Sequence, residues 1–415
     1  MTSLCRGLPK LLLNATVIRQ GGGLQACAAF VRQLVEDGSA EPWSFALSDV
    51  LVAELAGLGV GLPAARTHLF PHSPAHSMAA RRRLAALARV LQPDMVFTFF
   101  GPAYVRFECP HLCGVADPWV THADRHSYSL LPSWSERLRQ YASSAYKAYW
   151  FRCADAWMVE AEVARAGLAR RIGVDADRIH LVPNTCAQHY LTGDDAAPLL
   201  VPTGTTRILC FSHDYPHKNL GIVPQVAQRL SDRYPELACE FVTTLPKGCE
   251  GERRLLAASR THRTQGLVRN IGTVALQDGP RLYRSCQVLF HPSVLEVFTA
   301  VYPEAMAMEV PIVTSDLAYA HGICADAARY FDSGDPGAAC DAIAAVLLDP
   351  GERNRLVRTG RRRLLALGLP ETRNARLLEA VQSLGAQSSR EGHGLIAMKP
   401  RPVPPARFMW NQPKS

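Results

Sequence analysis

The sequence lacks any uninterrupted apolar run of the ~18 residues that a membrane-spanning helix needs. Its first apolar run, residues 11–13, is too short for the core of a secretory signal peptide, and no small-residue cleavage site follows it. We therefore expect a cytoplasmic protein. One close cysteine pair, Cys109 and Cys113, has no second ligand pair at a spacing suited to zinc. Free thiols in a reducing compartment are the simpler expectation.

Acidic residues are in the minority, since 37 Asp and Glu face 45 Lys and Arg, for a formal net charge of +8. Such an excess favours anionic partners, which include nucleotide phosphates, nucleic acid and an acidic membrane surface, and it does not choose between them. A chain of 415 residues is too long for one ordinary domain and suits two.

Short apolar runs of strand length alternate with helical patterns. Strands are predicted at residues 11–18, 43–47, 95–100, 112–116, 156–159 and 179–182, and again at 207–211, 239–243, 289–291 and 312–314. Runs that are apolar on both faces and separated by helices are typical of parallel sheets. The predicted fold class is therefore α/β, with two Rossmann-like doubly wound domains facing across a cleft.

A stretch rich in Gly, Asp and Pro separates the two series and indicates a linker. We predict an N-terminal domain at residues 1–195, a linker at 196–206 and a C-terminal domain at 207–370. A helix at 371–386 is expected to pack back on the N-terminal domain. Residues 387–415, rich in Ser, Pro, Arg and Lys, have no core pattern and are predicted to be mostly disordered.

The most informative segment is residues 290–315, FHPSVLEVFTAVYPEAMAMEVPIVTS. Its pattern predicts a strand, a loop containing Glu296, a helix carrying Glu304, and the next strand. Amides at the start of that helix have no partner within it and suit a diphosphate. A carboxylate one turn along can accept two hydrogen bonds from a ribose diol. Either glutamate alone would be interpreted as a helix cap or a solvent-facing residue.

A second segment, residues 211–220, lies where the first strand of the C-terminal domain meets its first helix. Lys218 would supply a fixed positive charge to a departing diphosphate. His213 can act there as a hydrogen-bond donor, and fully only when it is protonated. The alternative for Lys218 is a solvated lysine at the start of a helix.

Three glycines, Gly21, Gly22 and Gly23, directly follow the first predicted strand and open a helix. They allow a backbone to approach a ligand closely. Gly21 and Gly23 with Ala26 also fit the pattern G-x-G-x-x-A, which leaves an NAD(P)-dependent oxidoreductase open. That pattern also requires an acidic residue about 20 positions further on, at the end of a strand, and Asp49 lies too far along the chain to match it well.

These segments resemble the retaining glycosyltransferases of family 4 ("group 1"), which have the GT-B fold. The matching positions are His291-Pro292-Ser293, Glu296-Val297-Phe298-Thr299, Glu304-Ala305-Met306-Ala307 and Pro311-Ile312-Val313. Val297 and Thr299 replace the usual glycines of the loop. Lys218 matches the lysine of the family's basic pair, and His213 stands where arginine is usual.

The resemblance implies transfer of a hexose from a nucleoside diphosphate sugar to an acceptor hydroxyl, with retention and without a metal or cofactor. It implies that Glu304 binds the nucleotide ribose, that Glu296 contacts the donor sugar, and that Lys218 and His213 stabilise the diphosphate. The remaining donor-binding groups would be Ser293, Phe298, Thr299, Ala300, Val301, Gly22 and Gly23. No protein base is required, because the departing diphosphate itself helps to take the acceptor proton.

Many family members carry a histidine after a central strand of the N-terminal domain, where this chain has Ala116. The adjacent Asp117 either takes part in an acceptor site or caps the following turn. The Asp-x-Asp sequence at Asp175 and Asp177 is explained by turn and capping chemistry rather than by a metal. Residues 135–152 mix Arg and Lys with Tyr and Trp, and suit either an anionic membrane surface or an ordinary sheet-covering helix.

The expected function is sugar transfer in bacterial polysaccharide or glycolipid synthesis. The partners would be a nucleotide-sugar donor and a saccharide or lipid-linked acceptor, with no nucleic acid. Peripheral contact with the inner face of the plasma membrane is left open. Besides the oxidoreductase, a catalytically silent sugar-binding protein remains an alternative, favoured if the lost glycines and Ala116 have disabled the site.

Overall fold

Two parallel sheets organise the computed structural model, which describes residues 9–192, 197–201 and 204–390. The first sheet has seven strands in the order β3-β2-β1-β4-β5-β6-β7, and the second has six in the order β10-β9-β8-β11-β12-β13. Each order reverses beside the first strand of its domain, and such a reversal opens a crevice at the carboxyl ends of the strands. The prediction of two doubly wound domains is confirmed.

The first sheet and its helices are built from the N-terminal part of the chain. In chain order the elements are β1 (Leu11–Ala15), α1 (Gly21–Glu36), β2 (Trp43–Ser48), α2 (Asp49–Gly57), β3 (Thr67–Phe70), α3 (Met78–Leu91), β4 (Met95–Thr98), β5 (His111–Gly114), α4 (Pro118–Thr121), α5 (Arg125–Ser129), α6 (Trp134–Phe151), β6 (Ala156–Val159), α7 (Glu162–Ile172) and β7 (Ile179–Leu181).

The second sheet begins after the predicted linker. Its elements are β8 (Thr206–Cys210), α8 (Val223–Arg233), β9 (Cys239–Thr243), α9 (Glu250–Thr261), β10 (Val268–Asn270), α10 (Gly279–Arg284), β11 (Val288–His291), α11 (Val301–Ala307), β12 (Ile312–Ser315), α12 (Ala318–Cys324), β13 (Ala328–Phe331), α13 (Pro336–Leu348) and α14 (Pro350–Leu367). The last helix, α15, spans Pro370–Arg390.

Three strands were not predicted from the sequence: β3, β10 and β13. All three lie at an edge of their sheet. Each buries only part of its side chains, whereas β4, β5, β6, β11 and β12 are buried throughout. An edge strand has one neighbour and less cover, so its sequence need not be continuously apolar.

The helix α15 returns from the second domain to the first. It follows Gly368, whose φ of 102° lies in the region that favours glycine. Its apolar side chains at Leu377, Ala380, Val381 and Leu384 are buried in the core of the first domain. The helix extends to Arg390, beyond the predicted end, and residues 391–415 of the predicted tail lie outside the described residues.

A buried ion pair lies beneath this helix. Arg373 of α15 and Glu160, which follows β6, are each 5% exposed, and their charged groups are 3.7 Å apart. The Arg373 guanidinium also lies 5.6 Å from the centre of the Phe99 ring. Burial raises the pKa of Glu160 to about 7, although Arg373 opposes that rise.

Among the described residues, no helix is both long and apolar enough to cross a bilayer.

Candidate active site

The loops that follow the strands of the two sheets meet each other. Gln20, which follows β1, donates a hydrogen bond to the hydroxyl of Tyr215, which follows β8, over 3.4 Å. The Trp119 ring, after β5, meets the His217 ring edge to face at 5.9 Å. The carboxyl ends of both sheets therefore face a shared cleft, the usual location of a ligand in such folds.

Lys218 and Glu296 form a buried ion pair in this cleft. The Lys218 Nζ lies 2.5 Å from Glu296 Oε1, and the two side chains are 14% and 9% exposed. The Ser293 hydroxyl lies 2.7 Å from the same Oε1 and 3.1 Å from the carbonyl oxygen of His217. His291 Nε2 is 3.4 Å from Oε1. The loop after β11 and the turn after β8 are thus joined at one carboxylate.

Electrostatic effects at this carboxylate oppose each other. Burial is the largest single effect and favours the neutral acid, but the Lys218 ammonium and His291 together outweigh it and hold the pKa of Glu296 well below its ordinary value. Burial lowers the pKa of the neighbouring His217 to about 4. Burial and Lys218 also lower the pKa of His213. At neutral pH the two charges of the ion pair therefore have uncharged histidines around them.

Glu304 lies one turn into α11, apart from this ion pair. Its Oε2 accepts a hydrogen bond from the Tyr283 hydroxyl over 3.1 Å, and the same hydroxyl lies 3.0 Å from the Val301 carbonyl. Burial raises the pKa of Glu304 to about 7, while hydrogen bonds from Tyr283 and Tyr190 oppose the rise. The Glu304 carboxyl group therefore changes between its neutral and ionised forms near neutral pH.

The loop between Glu296 and Glu304 carries the four predicted donor-binding amides. The helix α11 begins at Val301, with Ala300 as an N-cap that makes no side-chain hydrogen bond. Thr299 is 5% exposed, and Phe298 packs against the core of the second domain. The amides of residues 298–300 therefore precede α11, and that of Val301 belongs to its first turn.

The glycine loop forms the first turn of α1. Gly21 has a φ of +70°, which favours glycine, and the side chain of the N-cap residue Gln20 makes no capping hydrogen bond to the helix. A Cβ at Gly23 would lie 3.3 Å from the Phe100 ring, whereas one at Gly22 would meet open space. Because Gln20 contacts Tyr215, this helix end lies beside the turn that carries Lys218.

Asp117 caps α4, one of the two alternatives that its sequence left open. Its Oδ1 accepts a hydrogen bond from the Trp119 amide over 3.0 Å, and its Oδ2 lies 2.7 Å from Lys147 Nζ. Asp175, in the Asp-x-Asp sequence, likewise accepts a hydrogen bond from the amide of Asp177 over 3.0 Å. Ala116 is exposed beside Asp117.

Sequence reasoning missed the residues that join the two domains at this site. Val297, 2% exposed, packs into an apolar cluster of the first domain that includes Val115 and Val120. His122 lies beside the backbone of Glu296. Trp119 lies in α4 and His122 at its end, and this short helix is the first element after β5. That position at the carboxyl edge of the sheet was the available signal.

Comparison with family models matches most of the chain in two parts. Residues 3–186 match the model described as Glycosyltransferase Family 4. Residues 194–363 match the model described as Glycosyl transferases group 1. The comparison with curated protein sequences found no match.

Solved structures resemble the chain over nearly its whole length. A sucrose-phosphate synthase from Thermosynechococcus elongatus is 16% identical, with a TM-score of 0.68 over 91% of this chain and 99% of its own. A glycosyltransferase from Rickettsia africae is 12% identical, with a TM-score of 0.67 over 90% and 98%. The Anabaena protein HepE, solved with UDP, is 14% identical, with a TM-score of 0.65 over 90% and 99%. At these identities the likeness shows the fold, which is GT-B.

Proposed function

We propose that this protein, a glycosyltransferase of the GT-B fold, moves a sugar from a nucleoside diphosphate sugar to an acceptor hydroxyl with retention. The observation that carries the proposal is the buried ion pair of Lys218 and Glu296 in the cleft, with Glu304 on the same segment of chain. Solved relatives with UDP or UDP-glucose bound support a nucleotide-sugar donor.

In the proposed reaction, the bond between the sugar C1 and the diphosphate oxygen breaks, and its electron pair stays on the diphosphate. Lys218 stabilises that growing negative charge, together with the amides before α11 and those at Gly22 and Gly23. The acceptor oxygen bonds to C1 on the same face, and its proton passes to a diphosphate oxygen. No step requires a metal or a further cofactor.

The remaining site residues have separate roles in the proposed reaction. Glu304, as a carboxylate, accepts hydrogen bonds from the ribose diol. Glu296 contacts the donor sugar and holds Lys218 in place before the donor arrives. His213 donates to the diphosphate, and Ser293 positions Glu296. We assign Asp117, which is held by Lys147, to the acceptor side of the cleft.

The proposal extends to the pathway and the location. The acceptor is a saccharide or lipid-linked molecule of bacterial polysaccharide or glycolipid synthesis. The protein acts in the cytoplasm, in peripheral contact with the inner face of the plasma membrane. A net charge of +8 supports an anionic partner of this kind.

A thermal-shift screen tests the donor. UDP-sugars and GDP-sugars are compared with NAD(H), and stabilisation by one class of nucleotide sugar is expected because a ligand that binds the folded state raises the melting temperature. Stabilisation by NAD(H) alone would favour the oxidoreductase alternative and contradict the proposal.

Two substitutions then test the site. Lys218→Ala and Glu304→Ala should each lower donor affinity or diphosphate release by tenfold or more, the scale of a lost charged contact. Glu309→Ala, an exposed glutamate just beyond α11, is the matched control and should behave as the wild type. Near-normal activity in both test variants would refute the assignment.

A further inference from the structure

The helix α6 presents apolar side chains to solvent in one stripe. Trp134, Leu138 and Tyr141 are 76%, 58% and 56% exposed. They are spaced four and three residues apart, so they lie on one face of the helix, and Ala145 continues that face. The stripe from Trp134 to Ala145 is about 16 Å long at 1.5 Å per residue.

The C-terminal half of α6 packs against the first domain. Its buried side chains, Ser144, Ala148 and Phe151, all lie in the second half. In the first half, the half-buried Glu136 and Gln140 mark the face that turns toward the protein. The stripe lies away from that face, so the first half of α6 carries apolar side chains that are more than half exposed among the described residues.

Positive charge surrounds the stripe. Arg137 and Arg139 are exposed on either side of it, by helix geometry. The Arg171 guanidinium, at the end of α7, lies 5.8 Å from the centre of the Tyr141 ring. Glu136 is the one acidic residue of α6, and it lies on the inward face. The surface is thus an aromatic and aliphatic stripe with a cationic rim.

We propose that this stripe docks on an anionic lipid bilayer, with Trp134, Leu138 and Tyr141 inserted among the headgroups and the arginines on lipid phosphates. Trp and Tyr suit that interface because their rings are apolar and their N–H and O–H groups stay in contact with water. A cationic rim attracts acidic lipids and repels an identical rim, which disfavours a second copy of the chain as the occupant.

The inference deepens the proposed function, on which it rests for its biological meaning. Lys147, on the same helix, binds Asp117 at the cleft. Trp134 lies 13 residues earlier, about 20 Å away along the helix axis. A docked helix would hold the acceptor side of the cleft close to the bilayer, within reach of a lipid-linked acceptor.

Vesicle flotation tests the docking directly. Full-length protein is mixed with vesicles of phosphatidylcholine alone or with 30 mol% phosphatidylglycerol, a composition chosen as about one acidic lipid in three. Binding to the acidic vesicles is expected, weakened by high salt. The triple variant Trp134→Ser, Leu138→Ser and Tyr141→Ser should bind at least tenfold more weakly, because it removes the apolar contacts.

Matched controls distinguish binding by this surface from non-specific binding of exposed apolar residues to vesicles. A triple variant at exposed apolar residues elsewhere, Val90→Ser, Leu348→Ser and Leu365→Ser, should bind as the wild type does. Arg139→Gln should weaken binding to acidic vesicles by about fivefold, the contribution of one basic residue near such a surface. Binding by the stripe variant equal to wild type would overturn the proposal.

Two further outcomes are decisive. Concentration-dependent dimerisation that the stripe variant abolishes, without vesicle binding by the wild type, would assign the surface to a second copy and overturn the proposal. Diphosphate release by the stripe variant toward a water-soluble acceptor should equal that of the wild type. Because catalysis is measured without vesicles, failure of the membrane inference is distinguishable from failure of the proposed function.

Discussion

Removing one member of the Lys218–Glu296 pair should destabilise the second domain severely. The two side chains are 14% and 9% exposed and 2.5 Å apart, so either single substitution leaves a charge buried without its partner. Breaking a buried pair in this way costs about 3–5 kcal/mol. We expect that loss for Lys218→Met and for Glu296→Gln. The double variant should lose much less than the sum, with a coupling energy of up to about 3 kcal/mol.

The pH dependence of stability gives a second, independent measure. In the wild type the pKa of Glu296 is depressed, so its stabilisation is present above the unfolded-state value and is lost only as pH falls through the folded-state value. In Lys218→Met the ammonium is gone, and we expect burial to outweigh the remaining contacts with His291 and Ser293, which raises that pKa and reverses the sign. The stability difference between variant and wild type should therefore grow as pH rises from about 4.5 to 7.

The assay follows from the distribution of tryptophans. Five of the six tryptophans lie at positions 43–157 in the first domain, and the sixth is Trp410. In a Trp410→Phe background, tryptophan fluorescence therefore reports the first domain and circular dichroism reports both. Urea unfolding followed by both signals assigns the loss to one domain. Glu309→Gln is the control, because its ion pair with Arg361 is exposed and worth at most about 1 kcal/mol. Strictly additive single variants, or identical pH slopes for Lys218→Met and the wild type, would refute the reasoning.

Three other perturbations should have measurable effects. Nucleotide-sugar binding, measured by calorimetry, should tighten as pH rises through about 7, because Glu304 then becomes a carboxylate. The variant Glu304→Gln should bind the nucleotide sugar at least tenfold more weakly, and its affinity should not change with pH in this range. A pH-dependent Glu304→Gln would contradict this. Val297→Gly removes a buried side chain worth about 1.5–3 kcal/mol from the contact between domains and should lower turnover at least tenfold, with nucleotide affinity changed less than about threefold. Unchanged turnover would show that the contact does not position the loop. Arg373→Met leaves Glu160 buried without its partner and should cost the first domain about 3 kcal/mol in fluorescence-monitored unfolding. Glu160→Gln added to it should restore part of that loss, and no restoration would argue against the pairing.

The central strands could be predicted from the sequence because they are covered on both faces. Residues 156–159 and 239–243 have the predicted bounds in the structure. The first strand ends at Ala15 rather than at the predicted residue 18, since the amide of Ile18 bonds back to the carbonyl of Ala15 in a turn. Periodicity cannot detect such a turn when its residues are apolar.

The site residues that belong to a local sequence motif could be predicted. The contacts between residues that are far apart in the sequence could not. Glu296 and Glu304 lie on one segment, and their spacing was visible. Lys218 and Glu296 are 78 positions apart, so their pairing is a product of the fold. Val297 is one residue from Glu296, yet its burial against the first domain depends on how the two sheets face each other.

The return of α15 bears on how the protein is made. The core of the first domain includes Leu377, Ala380, Val381 and Leu384, which are synthesised about 200 residues after that domain's own last strand. At 5–20 residues per second, a ribosome needs roughly 10–40 s to supply them. During that interval the surface of the nascent first domain that α15 covers is exposed to solvent. The core of the first domain is therefore complete only after α15 has been synthesised, and a gene fragment ending near residue 195 would encode that domain without this helix.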